Sequence, residues 1–207
     1  MLSEIRSALR PALSLLILFT LVLGLAYPLL ATGISQVVMP GPANGSMIVH
    51  DGKVIGSELI AQGFARPGYF HPRPSAAGAN GYDASASSGS NLAPGSKDLR
   101  DRLVKSIAEV RATDMTSQVP PDLVTTSASG LDPEVSPEAA FVQVRRVAAA
   151  RGMAPAAVEA LVRNQVKQPL LGFLGEPRVN VLNLNLALDA AAVQPTPAQS
   201  TAPPSGG

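Results

Sequence analysis

Two arginines stand before nineteen residues that carry no charge. Arg6 and Arg10 precede an apolar run from Ala12 to Leu30, and no further charged side chain occurs until Asp51. At ~1.5 Å of rise per residue the run makes about 28 Å of helix, which matches the ~30 Å hydrocarbon core of a bilayer. Ser14 and Thr20 can bond back to carbonyls of their own helix and so cost little in lipid. Tyr27 falls near the far end, where an aromatic ring favours the interface. Pro28 lacks an N–H, so it is expected to kink or end the helix. Gln36 and Met39-Pro40-Gly41 lead out into a loop.

The flanks set an orientation. Arg6, Arg10 and the terminal amine lie on one side, and the other side has no Lys or Arg until Lys53. The positive-inside rule then places residues 1–11 in the cytoplasm, residues 12–31 across the membrane and the rest outside. A cleaved signal peptide is the competing interpretation, since Ala31-Thr32-Gly33 has the small residues of a cleavage site. The apolar core of a signal runs ~7–15 residues, shorter than this one, which favours a retained anchor.

Composition narrows the remainder. The chain has 207 residues, and those left after the anchor and tail suit one domain with one core. Net charge is +1, so no field that would gather nucleic acid is implied. Cysteine is absent, which excludes disulfide staples and cysteine-ligated metals. Aromatics make up 4% of residues, too few for a base- or sugar-stacking platform.

Along the chain, Pro40 to Gly45 reads as a linker. Met47–Val49 and Lys53–Ile55 flank Asp51-Gly52, the strongest two-residue hairpin signal. Ser57 to Phe64 has the spacing of a short helix, with Ser57 as its cap. Residues 65–95 are rich in Gly, Pro, Ser and Asn, yet Tyr69, Phe70 and Tyr82 lie among them. Rings in such a stretch imply an ordered loop, and long ordered loops tend to be functional.

Ser96 to Arg111 predicts an amphipathic helix with Leu99, Leu103, Ile107 and Val110 on its apolar stripe. Residues 112–121 read as loop, Leu123–Thr126 as a short strand, and 127–133 as a Ser/Gly turn. Ser136-Pro137-Glu138 starts a helix to about Arg151, with Gly152 at its exit. Pro155 opens another, to about Gln168. Residues 178–189 are ambiguous: Leu and Asn alternate as in a strand, while the leucine spacing also allows a helix from Leu182. Strand first and helix later is the expectation. The Pro- and Ala-rich residues 191–207 are expected to be disordered.

Catalytic patterns are weak. Gly89 to Lys97 has five residues between its glycines and Ser before Lys, so it fails the phosphate-loop spacing and reads as loop plus helix start. His50 and His71 are the only histidines, and neither has a carboxylate pattern beside it. No Gly-x-Ser-x-Gly occurs. Ser90, Ser127 and Ser129 sit in turn-like settings, where hydroxyls bond the backbone. Arg145 and Arg146 cannot share one helix face, and one of them is expected in an internal ion pair.

Ordered blocks of sequence resemble the C subunit of the Kdp potassium-transporting ATPase. They are Leu9-Arg10-Pro11-Ala12-Leu13, Tyr27-Pro28-Leu29, Ala43-Asn44-Gly45-Ser46 and Gly56-Ser57-Glu58-Leu59-Ile60-Ala61-Gln62. Then come Tyr69-Phe70-His71-x-Arg73-Pro74-Ser75-Ala76, Ser88-Gly89-Ser90-Asn91-Leu92 and Val119-Pro120-x-Asp122-Leu123-Val124-Thr125. Ser127-Ala128-Ser129-Gly130-Leu131-Asp132-Pro133, Arg146-Val147-Ala148-x-Ala150-Arg151, Gly175-Glu176-Pro177-x-Val179-Asn180-Val181 and Leu184-Asn185-Leu186-Ala187-Leu188-Asp189 complete the series. They span about residues 8–190.

The resemblance implies a single N-terminal transmembrane helix, one exported mixed α/β (α+β) domain over 40–190, and location in a bacterial inner membrane. It implies three partners: a channel-like potassium-binding subunit, a P-type ATPase subunit and a small membrane peptide. The function implied is accessory, without a catalytic site, in ATP-driven high-affinity potassium uptake. It supports assembly, and a catalytic-chaperone role toward the ATPase subunit has been attached to the family. No cofactor is required by the chain, and no metal site is expected. ATP enters by family association alone, through a signature whose counterpart is Gly152 to Val158. Ala157 stands there where a glutamine is frequent, and the expected topology puts the domain on the side without ATP.

Candidate interface or loop-locking residues are Tyr69, Phe70, Arg73, Tyr82, Ser88, Gly89, Ser90, Asn91, Ser127, Ser129, Gly130 and Asp132, since aromatics and Arg are enriched in interface hot spots. Gly24 and Ala26 are candidate small contacts for helix packing in the membrane. The rival function is a membrane-tethered or secreted periplasmic hydrolase, using His71 with a turn serine, or a binding protein.

Overall fold

The computed structural model describes residues 2–50 and 52–193. They form two units, residues 2–55 and 56–193.

In the first unit, α1 (Leu2–Leu21) runs through a five-residue π turn, Val22–Ala26, into α2 (Tyr27–Val38). The helix therefore starts well before Ala12 and passes Leu30, where the sequence suggested ends near 12 and 31. Nothing between Leu30 and Met39 breaks it. Pro28 does not end it either. Tyr27 donates its N–H to the Val22 carbonyl, and this wider turn carries the chain past the proline, which sits in the first turn of α2. Every described residue from Ser3 to Ile34 is exposed. Ser3–Val38 is long and apolar enough to cross a membrane.

The expected linker is instead a helical turn, α3 (Pro40–Ala43). Gln36 and Asn44 exchange amide hydrogen bonds at 3.1 and 3.0 Å, and Asn44 also donates to the Pro40 carbonyl at 2.7 Å. β1 (Met47–His50) pairs with β2 (Lys53–Ser57) in a two-stranded sheet, as the hairpin signal predicts. Gly52 takes the left-handed φ of +74°. Asp51 of that turn lies outside the described residues.

The second unit places helices on a small antiparallel sheet. Its elements are α4 (Lys97–Asp114), a 3₁₀ turn (Pro121–Leu123), β3 (Glu134–Val135), α5 (Pro137–Arg151), α6 (Pro155–Gln165), β4 (Val166–Lys167), β5 (Arg178–Asn180) and α7 (Val181–Val193). The sheet order is β3-β5-β4, with Val179 opposite both Val135 and Val166. Val144 and Val147 of α5, Val158 and Val162 of α6, and Leu184 and Leu188 of α7 close over this sheet with Phe70. Ala139, Ala140 and Ala148 are fully buried or nearly so, and let α5 approach its neighbours closely. The mixed helix and strand content agrees with the α+β expectation.

Helix starts follow their caps. Ser136 Oγ accepts from Ala139 N at 3.2 Å, and Ser96 Oγ accepts from Leu99 N at 3.2 Å. The second of these bonds makes the Gly89–Lys97 stretch loop and helix start, as the failed spacing predicts. Gly152 ends α5 at φ +63°.

Several elements differ from the sequence expectations. Ser57–Phe64 is not a helix. Ser57 Oγ takes Leu59 N at 3.1 Å to close a turn, and Ala61 N donates to Leu131 O at 2.9 Å, outside any helix. Leu123–Thr126 is not a strand. The N–H groups of Leu123, Val124 and Thr125 turn back to the carbonyls of Pro120 and Pro121 and leave no ladder donors. α4 extends to Asp114, and α6 stops at Gln165 because Val166 and Lys167 join the sheet. Residues 178–189 follow the expectation of strand first and helix later, with the change at Val181. Asn180 Oδ1 accepts from Asn183 N at 3.0 Å and caps α7. Residues 191–193 belong to α7, so the tail cannot begin at 191; residues 194–207 lie outside the described residues.

Candidate functional site

Residues 65–95 carry little regular structure, yet side chains fasten them at both ends. At the first end, two buried amides act as backbone partners. Asn185 of α7 accepts from Phe70 N at 2.8 Å and donates to Phe70 O at 3.0 Å. Gln143 of α5 does the same for His71, at 2.7 and 3.1 Å. The Phe70 ring is 1% exposed and joins the core.

Arg146 supports this end from beneath. Its Nη1 donates to Pro67 O at 2.6 Å and to Tyr69 O at 2.8 Å, its Nη2 to Gln143 Oε1 at 2.6 Å, and its Nε to Asp114 at 2.6 Å. This is the internal ion pair expected for one of the two adjacent arginines. Arg151 lies 4.5 Å over the Tyr69 ring and pairs with Asp189 at 2.7 Å, while the Tyr69 hydroxyl reaches Asp189 at 3.2 Å. Tyr69 also packs against Phe64, with ring centroids 5.5 Å apart and the planes tilted by 37°.

The second end joins residues 73–89 to the turn at 125–132. Arg73 donates to Asp132 at 3.0 Å and, at longer range, to the carbonyls of Thr125 and Thr126. Ser75 Oγ donates to Gly130 O at 2.6 Å and accepts from Ala77 N and Tyr82 N. Tyr82 donates its hydroxyl to Arg73 O at 2.9 Å, and its burial pushes the phenol pKa up. Ser88 N and Ser87 Oγ both reach Ser129 O, at 3.0 and 2.9 Å. A Cβ on Gly89 would lie 2.9 Å from Ala128 O, so the backbones touch there.

Ten of the twelve candidate residues thus fall at one of the two fastenings: Tyr69 and Phe70 at the first, and Arg73, Tyr82, Ser88, Gly89, Ser127, Ser129, Gly130 and Asp132 at the second. Ser90 and Asn91 take no part in these bonds; Asn91 is exposed at φ +52°. A Cβ at Gly24 would lie 3.9 Å from the Thr20 methyl of its own helix, and Gly24 and Ala26 are both exposed. Sequence reasoning missed Gln143 and Asn185. Their signal was a polar residue on the inward stripe of an apolar helix.

His71 and the turn serines bond to other groups. The His71 ring reaches the Arg66 carbonyl at 3.3 Å. Ser127 Oγ lies 3.4 Å from Ser129 Oγ, which accepts from Leu131 N. Burial, and then the Arg146 charge, lower the His71 pKa below its ordinary 6.5. Among the described residues no group of three His, Cys, Asp or Glu could hold a metal. What the network does is fix the shape of a surface.

Residues 9–190 match the family described as K+-transporting ATPase, c chain, KdpC. The chain belongs to the KdpC family. The KdpC match has the extent that the sequence blocks outlined. A potassium-transporting ATPase KdpC subunit from Caulobacter vibrioides is 60% identical over 185 residues, covering 89% of this chain and 93% of the relative. The KdpC subunit of Nitratidesulfovibrio vulgaris is 54% identical, covering 88% and 94%. That of Bradyrhizobium diazoefficiens is 54% identical over 197 residues, covering 90% and 98%.

Proposed function

We propose that the chain is a membrane-anchored accessory subunit of an ATP-driven potassium-uptake complex. It supports assembly and stability, and it carries no catalytic site of its own. The observation that carries this is the KdpC match over residues 9–190, since relatives at 51–60% identity are named as subunits of a potassium-transporting ATPase.

The exposed apolar helix supports an anchor that docks against partner helices, with Gly24 and Ala26 allowing close approach. Arg6 and Arg10 favour a cytoplasmic N-terminus, which sets the second unit outside the cell membrane. There the fastened loops, with Tyr69, Arg73, Tyr82, Ser88 to Asn91 and Ser127 to Asp132, present a fixed surface to the channel-like, potassium-binding partner. The P-type ATPase subunit and the small membrane peptide complete the set. The catalytic-chaperone role toward the ATPase subunit stays a family association, as does ATP. Ala157 offers an exposed methyl group where a glutamine would hydrogen-bond.

Purification of the tagged full chain from mild detergent tests this. A channel-like subunit and a P-type ATPase are expected to co-purify, and removal of residues 56–193 is expected to abolish growth at limiting potassium. Recovery of the chain without either partner overturns the proposal.

A further inference from the structure

Asn44 and Asn80 are the asparagines of this chain that precede a glycine. In such a pair no side chain shields the backbone N–H that follows the asparagine, and glycine lets it swing toward the carboxamide. Asparagine is among the chemically labile residues of a protein. The other asparagines precede Leu, Gln or Val, whose side chains obstruct that approach. The structure treats the two Asn-Gly pairs in opposite ways.

Asn44 is held. Its Nδ2 donates to Gln36 Oε1 at 3.0 Å and to Pro40 O at 2.7 Å, and its Oδ1 accepts from Gln36 Nε2 at 3.1 Å. Gly45 N donates to Pro42 O at 3.0 Å. Both reacting groups are occupied, and these bonds must open before the groups can meet.

Asn80 is free. It is exposed, and among the described residues neither its amide nor Gly81 N has a hydrogen-bond partner. The pair stands on the turn of residues 77–83, which Asp83 N closes by donating to Ala77 O at 3.1 Å. Tyr82 follows directly and has no slack. Its N–H donates to Ser75 Oγ at 2.8 Å, its hydroxyl donates to Arg73 O at 2.9 Å, and the same Ser75 hydroxyl holds Gly130 O at 2.6 Å.

We propose that Asn80 is a site of spontaneous covalent modification, and that its isoaspartyl product unfastens Tyr82 from Ser75 and Arg73. Gly81 N attacks the side-chain carbonyl carbon of Asn80. The bond from that carbon to the amide nitrogen breaks, and ammonia leaves with the proton that Gly81 N gives up. Water then opens the resulting five-membered imide. Opening at the former side-chain carbonyl gives aspartate. Opening at the backbone carbonyl routes the chain through the side-chain carbon and gives isoaspartate, with one extra methylene in the main chain. No electron is transferred, and water is the only co-reactant. The longer main chain displaces Tyr82, and the second fastening of the loops comes loose beside it.

The test ages the purified full chain in detergent at mildly alkaline pH, which favours loss of the proton from the attacking nitrogen. Mass spectrometry of one digest reads both pairs, and enzymatic methyl labelling counts isoaspartate. Conversion at Asn80 is expected to run at least about tenfold faster than at Asn44, because only Asn44 must first break its bonds. Equal rates, or no conversion at Asn80, overturn the proposal. Asn80→Gln removes the reaction, since the longer side chain would have to close a six-membered ring. After the same ageing this variant is expected to keep residues 84–95 resistant to protease, while the unsubstituted chain loses that resistance in step with its isoaspartate. Equal resistance of the two aged chains overturns the unfastening. Both readouts use the chain alone, so they stand apart from the subunit role proposed above.

Discussion

Arg146 and Asp114 meet at 2.6 Å with each side chain 6% exposed. The pair joins the last turn of α4 to the middle of α5, and the remaining guanidinium donors hold the carbonyls of Pro67 and Tyr69. An isolated buried charge is costly, and here each charge is tolerated because the other is in place.

Removing one partner should therefore cost far more than an exposed ion pair would. Asp114→Ala is expected to destabilise the chain by about 3–5 kcal/mol, because it leaves a buried guanidinium unpaired. Replacing both, Asp114→Leu with Arg146→Met, should recover part of that loss. The Pro67 and Tyr69 carbonyls still lose their donor, so recovery stays incomplete. Denaturant unfolding of the detergent-purified chain measures both.

Gly130 tests the fastening of the two loops. It holds φ +67°, and a Cβ there would lie 2.5 Å from Ser88 O and 2.8 Å from Ala77 N, both backbone atoms of the opposing loop. Gly130→Ala is expected to cost about 1–3 kcal/mol and to open residues 84–95 to proteolysis. Gly95→Ala meets nothing within 4 Å and should leave both readouts unchanged.

The lowered His71 pKa gives a signed pH dependence. As pH falls through the ordinary value of 6.5, the unfolded chain takes up the proton first, so it binds more protons than the folded chain. Stability is then lost between 6.5 and the lower folded value, and levels off below it. His71→Asn should flatten that slope in denaturant midpoints measured across the range. An unaltered slope would show that other groups control it.

Gly24 separates intramolecular from intermolecular packing. A side chain there meets only Thr20 of its own helix. Gly24→Leu should leave the unfolding of residues 56–193 unchanged while reducing co-purification with partner helices severalfold. Equal recovery of the complex would remove Gly24 from the contact surface.

The legible parts of this fold were those decided locally. Ser136-Pro137-Glu138 and Gly152 bracket α5 because capping depends on a few neighbouring groups. The apolar run announced its helix, though not its ends, since α1 and α2 continue through residues that lipid does not select. Ten of twelve candidate site residues fell at one or other of the two fastenings, because rings and an arginine inside a Gly/Ser-rich stretch need partners. What escaped was decided at a distance. Leu123–Thr126 has strand-forming side chains, but Pro120 and Pro121 capture its N–H groups. Gln143 and Asn185 could be noticed as inward polar residues, but their partners lie 72 and 115 residues away.

That last separation orders events during synthesis. Phe70 leaves the ribosome more than a hundred residues before Asn185, the side chain that holds both of its backbone groups. Closing so long a span is slow compared with forming a local helix. The aromatic loop can set only after α7 has been made. A chain cut short before Asn185 would carry α1 to α6, yet lack the fixed loop. Assembly that reads the loop would thereby accept only finished chains.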